Sequence, residues 1–327
     1  MHQARRLGLA ATAGLAAALA GRYSIGTEKA LLPSARELDT RLAGLGAVER
    51  LSILPVVERH AHGAGLRGEP GVSYLITADD TSLLFDTGLG TGRDRTSLES
   101  NADVLGVSLG DLDCVVISHL HADHVGGARS QLARTFSFGR ELQVPRSITA
   151  FVPTAMSGPT ADTCVVDRAR VIGPGVAVLP PLPAMLFWLG PVAEQALVVH
   201  VRDRGLVLIS GCGHPEIERT LAAAEMVTSA PVHAVVGGLH LPVHAYGTAL
   251  MPQAVLGNPN WPWRPIQERD AHAVIRAVQE RGPALVALSG HDSTPWTLEA
   301  FGEVFGDRYR TLRVGEEIVV TAPPARR

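Results

Sequence analysis

Ile117-Ser118-His119-Leu120-His121-Ala122-Asp123-His124-Val125-Gly126-Gly127 holds three imidazoles and one carboxylate within six residues. It follows the apolar stretch Leu112 to Ile117, which reads as a buried strand, so the histidines sit on the loop at its end. Imidazole and carboxylate suit Zn²⁺ and similar first-row metals. His119 and His121 lie two apart and can project to one side of an extended turn. Asp123 and His124 open the following helix and can face a second point nearby. Gly126 and Gly127 let that helix start close to its neighbours. The pattern predicts a metal site, for two metals.

Working outward, the same grammar recurs: an apolar strand, a turn of small residues, then His or Asp. Val72–Ala78 and Thr81–Phe85 read as strands joined by an Asp79-Asp80 turn, and the second ends in Asp86-Thr87-Gly88. Residues 92–110 read as helix and loop, and 126–140 as helix. The Pro- and Gly-rich stretch 145–193 is expected to form short strands and a substrate-side loop. Leu197–Val201 and Leu206–Ile209 flank Asp203-Arg204-Gly205, a hairpin signal, and lead to Cys212-Gly213-His214. Helix is expected over 216–229 and 267–281. The strand Val232–Val236 leads to Gly237-Gly238-Leu239-His240, and Ala284–Leu288 to Ser289-Gly290-His291-Asp292. A Pro/Trp-rich insert, Met251–Pro265, is expected either to help wall the pocket through Trp261 and Trp263 or to be only a packed loop. A helix and the strand Ile318–Thr321 close the chain. Strands that deliver polar groups at one end are how an α/β scaffold builds one site from distant sequence.

A hydrophobic content of 46% against 19% charged residues is enough for a large core. A net charge of −3 and the lack of any Lys/Arg run argue against nucleic-acid or anionic-membrane partners and leave a small-molecule substrate. Three cysteines, odd in number and far apart, make no disulfide framework. Cys114 reads as core. At the N-terminus, Arg5-Arg6 precede the apolar run Leu7–Ala20, and Ala18-Leu19-Ala20 fits a cleavage site. The run falls short of the roughly twenty residues a stable membrane span needs. Residues 1–30 are therefore expected to be an export signal, or else an N-terminal anchor or an Ala-rich helix of a cytoplasmic protein. Residues 31–322 form the expected functional domain.

His119-x-His121-x-Asp123-His124 after a strand resembles the signature of the metallo-β-lactamase superfamily. Within it, the chain looks most like the dihydropteroate-synthase-like branch related to methanopterin biosynthesis. The segments that carry this are Leu84-Phe85-Asp86-Thr87-Gly88, Asn101–Gly106, Gly211-Cys212-Gly213-His214-Pro215 and Gly237-Gly238-Leu239-His240-Leu241. The resemblance spans about residues 50 to 321. It implies an α/β fold of αββα type, a four-layer sandwich with the site at one edge. His119, His121 and His214 would bind one divalent metal, and Asp123, His124 and His291 a second, with Zn²⁺ expected and Mn²⁺ or Fe²⁺ as alternatives. Cys212 falls where many members place a bridging aspartate, so it is either a ligand or a small buried residue beside the site. Asp86 would orient a ligand imidazole. His240 is open between ligand, substrate contact and strand-end histidine. His60, His62, His200, His233, His244 and His272 have no such context.

The implied activity is hydrolysis of an ester, lactone, amide or phosphodiester bond by a hydroxide held between two metals, with Asp123 as the catalytic carboxylate. The alternatives are a non-hydrolytic synthase or transferase acting on a phosphorylated pterin-type precursor, or a metal-binding sensor. Two departures bear on substrate: Asp292 stands where the branch usually has cysteine, and Gly213 where serine is usual.

Overall fold

The described residues of the computed structural model are 2–31, 42–139, 148–158 and 161–324. The chain begins with α1 (His2–Leu31), β1 (Arg50–Val57), β2 (Ser73–Ala78), β3 (Thr81–Phe85), α2 (Ser97–Leu105), β4 (Cys114–Val116) and α3 (Ala128–Ala133). Six strands follow: β5 (Ile148–Val152), β6 (Ala161–Val165), β7 (Arg170–Gly173), β8 (Val176–Val178), β9 (Leu182–Leu186) and β10 (Gly190–Glu194). Then come β11 (Leu197–Val201), β12 (Gly205–Ser210), α4 (Ile217–Val227), β13 (Val232–Gly237), α5 (Met251–Leu256) and α6 (Glu268–Glu280). The chain closes with β14 (Leu285–Leu288), α7 (Pro295–Phe305), β15 (Tyr309–Thr311) and β16 (Ile318–Thr321).

Two sheets of seven strands form, ordered β16-β1-β2-β3-β4-β5-β6 and β15-β14-β13-β12-β11-β8-β7. Their strands alternate faces with a period of two, and each sheet is apolar on both. Leu83, Phe85 and Val116 of one sheet meet Val207, Ile209 and Val236 of the other in the central core. The intervening Leu84 and Val115 turn outward under α2, with Leu98 and Ala102. Leu206, Leu208 and Val235 turn outward under α4, α6 and α7, with Leu221, Ile275 and Phe301. Helices therefore cover both outer faces, as the αββα expectation requires.

Strands β3 to β6 run parallel in one sheet, and β12 to β15 in the other. Their carboxyl ends point to one edge, where the loops carrying Asp86, His119–His124, Cys212–His214, His240 and His291 emerge. Both expected hairpins form, with Asp79 (φ 47°) and Asp203 (φ 57°) supplying the left-handed turn conformation.

Helix over 126–140 is an expectation that needs correction. Only Ala128–Ala133 is helical; Arg134 turns left-handed (φ 53°), and Phe136 and Phe138 are drawn into the core, while position 140 lies outside the described residues. The insert Met251–Pro265 also contains a helix, α5, that its Pro/Trp content concealed. At the N-terminus, α1 lays Tyr23 against Phe187 and Trp261, with ring centroids 5.3 and 4.9 Å apart. Among the described residues no helix is long and apolar enough to cross a membrane.

Candidate metal centre

Each ligand-type side chain is presented by a strand end. After β4, Ile117 remains buried and Ser118 starts the loop that holds His119, His121, Asp123 and His124. The loop is tied to the end of β3: the amides of Thr87 and Gly126 donate to His124 O and Gly88 O, 2.9 and 2.8 Å away. β12 delivers Cys212 and His214, β13 delivers His240 and β14 delivers His291. Gly238 is required because a β-carbon there would collide with Gly211 O and Asp292 Oδ2.

These side chains form two donor groups: His119, His121 and His214, and then Asp123, His124, Cys212 and His291. Within each group the candidate donor atoms all lie within 4.8 Å of one another. His214 Nε2 is 3.2 Å from His121 Nδ1, and Cys212 Sγ lies 3.1 and 3.3 Å from Nε2 of His124 and His291. His119 joins the two groups, its ring 4.5 Å from His121 and 4.1 Å from His124, centroid to centroid. Cys212 is buried beside the other candidate donors, its Sγ within reach of the same point. His240 stands beside them, 4.6 Å from His214, in an overlapping group with Cys212 and His214.

The hydrogen bonds behind the histidines decide which nitrogens are bare. Ser118 N and Oγ donate to Asp86, at 2.6 and 2.7 Å. The same carboxylate lies 2.7 Å from His124 Nδ1, and Ser118 Oγ lies 2.9 Å from His119 Nδ1. A hydroxyl that gives its proton to Asp86 can only accept from His119, so both imidazoles carry hydrogen on Nδ1. A second relay repeats this: Ser289 Oγ donates to Glu58 Oε2 at 2.6 Å and lies 2.5 Å from His291 Nδ1. Nε2 of His119 and His291 is thereby left as a lone-pair donor, and Nε2 of His124 becomes one once its proton leaves. His119 Nε2 is buried with no hydrogen-bond partner, which metal coordination would remedy. The residues present therefore fit a divalent cation.

Sequence reasoning anticipated Asp86 but missed Ser118, Ser289, Glu58 and Glu194. Glu194, at the end of β10, accepts from the amides of Cys212, Gly213 and His214 at 2.7–2.9 Å and fixes that loop. Both glutamates close apolar strands, the same signal that marked Asp86. Burial raises both, Glu58 to about 7. Gly213 has φ 77°, which explains glycine where serine is usual. Asp292 accepts from His240 N at 2.8 Å and holds that residue at φ 48°. The six other histidines with no assigned role fall outside the donor groups. Trp261 and Trp263 do not form the pocket wall that one expectation gave them; they stack on each other at 5.1 Å, with Trp261 against Tyr23 and Trp263 largely exposed. The cavity beside the donors is walled by α5 and its flanks, including Ala249, Pro252, Gln253, Leu256 and Gly257.

Burial keeps the imidazoles neutral, lowering His121 and His240 to about 4 and His291 to about 3. His124 differs. Burial opposes its charge, but Asp123, Asp86 and Glu194 together outweigh it and raise the group to about 9. A cation must displace the proton on His124 Nε2 and that of the Cys212 thiol, which burial holds high, so apparent metal affinity should rise steeply from pH 7 to 9, by up to about a hundredfold per pH unit. Competition titration with a chromophoric chelator checks this, and a flat profile would show that His124 carries no such proton.

An αββα sandwich with a histidine-rich donor cluster at the carboxyl edge of both sheets defines a metal-centre α/β protein of the metallo-β-lactamase fold. Residues 66–136 match the family model of the Metallo-beta-lactamase superfamily. It is 22% identical, over 61% of its own length and 81% of the relative's, to a 7,8-dihydropterin-6-methyl-4-(β-D-ribofuranosyl)-aminobenzene-5'-phosphate synthase of Methanocaldococcus jannaschii. A solved metal-dependent hydrolase of the β-lactamase superfamily superposes with a TM-score of 0.59 at 21% identity, over 83% of this chain and 100% of that one. The metallo-β-lactamase fold protein YhfI of Bacillus subtilis superposes with a TM-score of 0.52 at 14% identity, over the same shares.

Proposed function

We propose that this chain is a metal-dependent hydrolase of a small molecule, with two divalent cations, Zn²⁺ foremost and Mn²⁺ or Fe²⁺ as alternatives, held by the two donor groups. The observation that carries this is the convergence of five imidazoles, one thiol and one carboxylate into two groups, within each of which the candidate donor atoms all lie within 4.8 Å of one another. His119, His121 and His214 would hold one ion, and Asp123, His124, Cys212 and His291 the other. Bound cations would supply a lowered water pKa and a polarised scissile oxygen. Asp123 then orients the attacking water and takes its proton at Oδ2. Asp86, Ser118, Glu58 and Ser289 keep the imidazoles in the donor tautomer.

Mass-spectrometric metal analysis of the purified protein, with turnover before and after chelation, tests the reading. Two equivalents per chain and loss of turnover on chelation are expected. Full turnover in metal-free protein would end the proposal. A second reading, a synthase acting on a phosphorylated pterin-type precursor, rests on the similarity to the archaeal synthase. A metal-replete protein that cleaves no ester, lactone, amide or phosphodiester would favour it.

A further inference from the structure

The cavity over the donor groups has a volume of about 330 Å³. Its floor is His121, Asp123, Cys212, His214 and His240, and its walls are mainly apolar, among them Leu89, Leu189, Pro252 and Leu256, with the neutral amides of Gln131 and Gln253 as further polar groups. Leu189 and Leu256 line it yet remain 43% and 45% exposed, so the mouth itself is apolar. Among the described residues lining it there is no Lys or Arg. Arg67, Arg93 and Arg95 border a different recess that shares no residue with it. A substrate phosphate bound here would have the metal ions alone to meet its charge, with no Arg or Lys among the described lining residues to bind its remaining oxygens.

His240 adds a polar feature. Its side chain is buried with the backbone of Gly257 and Gln253 beside the ring, but neither ring nitrogen reaches good hydrogen-bond geometry. The ring lies on the wall shared with a second recess, which is lined by Glu216, Glu218, Asp270 and Arg264 and is net acidic. An unpartnered buried imidazole is costly unless something it binds satisfies it.

Resting on the hydrolase reading above, we propose that the substrate is an uncharged, mainly apolar carbonyl compound, an ester, lactone or amide with an apolar acyl part, and that His240 contacts its polar group. In the reaction a water oxygen bonds to the carbonyl carbon. The C–O or C–N bond breaks with its electron pair going to the departing atom, which takes the proton that Asp123 removed from that water. There is no net redox change. The apolar acyl part lies between Leu189 and Leu256 and emerges at the mouth.

The test compares Zn²⁺-loaded protein on p-nitrophenyl octanoate, p-nitrophenyl acetate and bis(p-nitrophenyl) phosphate, and measures calorimetric binding of octanamide to metal-free protein. The octanoate ester should exceed both others in kcat/KM by at least about tenfold, the scale of a few buried methylenes. Octanamide should bind the metal-free protein, and Leu256→Asp, at a half-exposed position, should weaken that binding by a similar factor with metal content unchanged. His240→Ala should raise KM for the octanoate ester with metal content unchanged; a fall in metal content would make His240 a ligand and overturn its role as a contact. Preference for the phosphodiester would overturn the substrate class and leave hydrolysis standing. No turnover of any of the three would remove the hydrolase reading. Octanamide binding insensitive to Leu256→Asp would overturn the apolar site on its own.

Discussion

Asp123→Asn should lower kcat by about 10²–10⁴-fold, the range expected for a positioned proton acceptor, while the melting temperature stays within a few degrees. The substitution is isosteric, and the side chain is 18% exposed on the cavity floor, so packing is preserved. Only the charge is lost. Asp123 is the one carboxylate among the described residues lining that cavity, and its Oδ2 lies 3.7 Å from His124 Nε2. Burial would raise this carboxyl, but His124, His291 and His121 outweigh it and hold the group below its usual range. It is therefore ionised throughout the working pH range, and any acid limb in the rate profile must come from elsewhere. Steady-state kinetics on an ester substrate, with metal content measured alongside, gives the answer. A kcat within tenfold of the parent would remove Asp123 from proton transfer.

The parts of this molecule legible in its sequence are those where local chemistry and tertiary structure agree. The strands around Asp79-Asp80 and Asp203-Arg204-Gly205 were readable because the turn residues accept left-handed backbone and the flanks are apolar. The motif from His119 to His124 was readable because no packing need explains so dense a set of imidazoles. Ser118 and Ser289 were not. Serine is common in loops, and its role as a proton relay exists only once Asp86 and Glu58 arrive from other strands. Glu58 and Glu194 left a weak trace, one acid closing an apolar run, that only the fold turns into a statement about position. The two tryptophans stayed ambiguous because large aromatic residues suit a pocket wall and a helix-capping cluster equally well. Which surface they cover depends on α1, whose N-terminal sequence gives no hint of where it docks. Helix 128–133 ended early because the side chains of Phe136 and Phe138 gain more by burial than the seven further residues to 140 would gain by helix continuation, a tertiary override invisible to periodicity.

Asp86→Ala should cost about 3–5 kcal/mol of folding stability, as expected when one partner of a buried polar network is removed. Asp86 is fully buried and satisfies three donors: Ser118 N, Ser118 Oγ and His124 Nδ1. Its φ of 61° adds to the loss, since alanine tolerates that region less well than Asp or Asn. Asp86→Asn separates the two roles of this residue. The amide keeps the shape, tolerates the backbone and can still accept from Ser118, so most of the stability should remain. Its NH₂ group, however, presents hydrogen to His124 Nδ1. That imidazole must then move its proton to Nε2, the atom required as a donor. Metal affinity should accordingly fall about 10–100-fold in both variants, although only the alanine variant is strongly destabilised. Chemical denaturation and chelator competition on the two proteins measure the two quantities independently. If Asp86→Asn bound metal as tightly as the parent, Asp86 would be a packing residue alone, and the tautomer of His124 would not be set by its carboxylate.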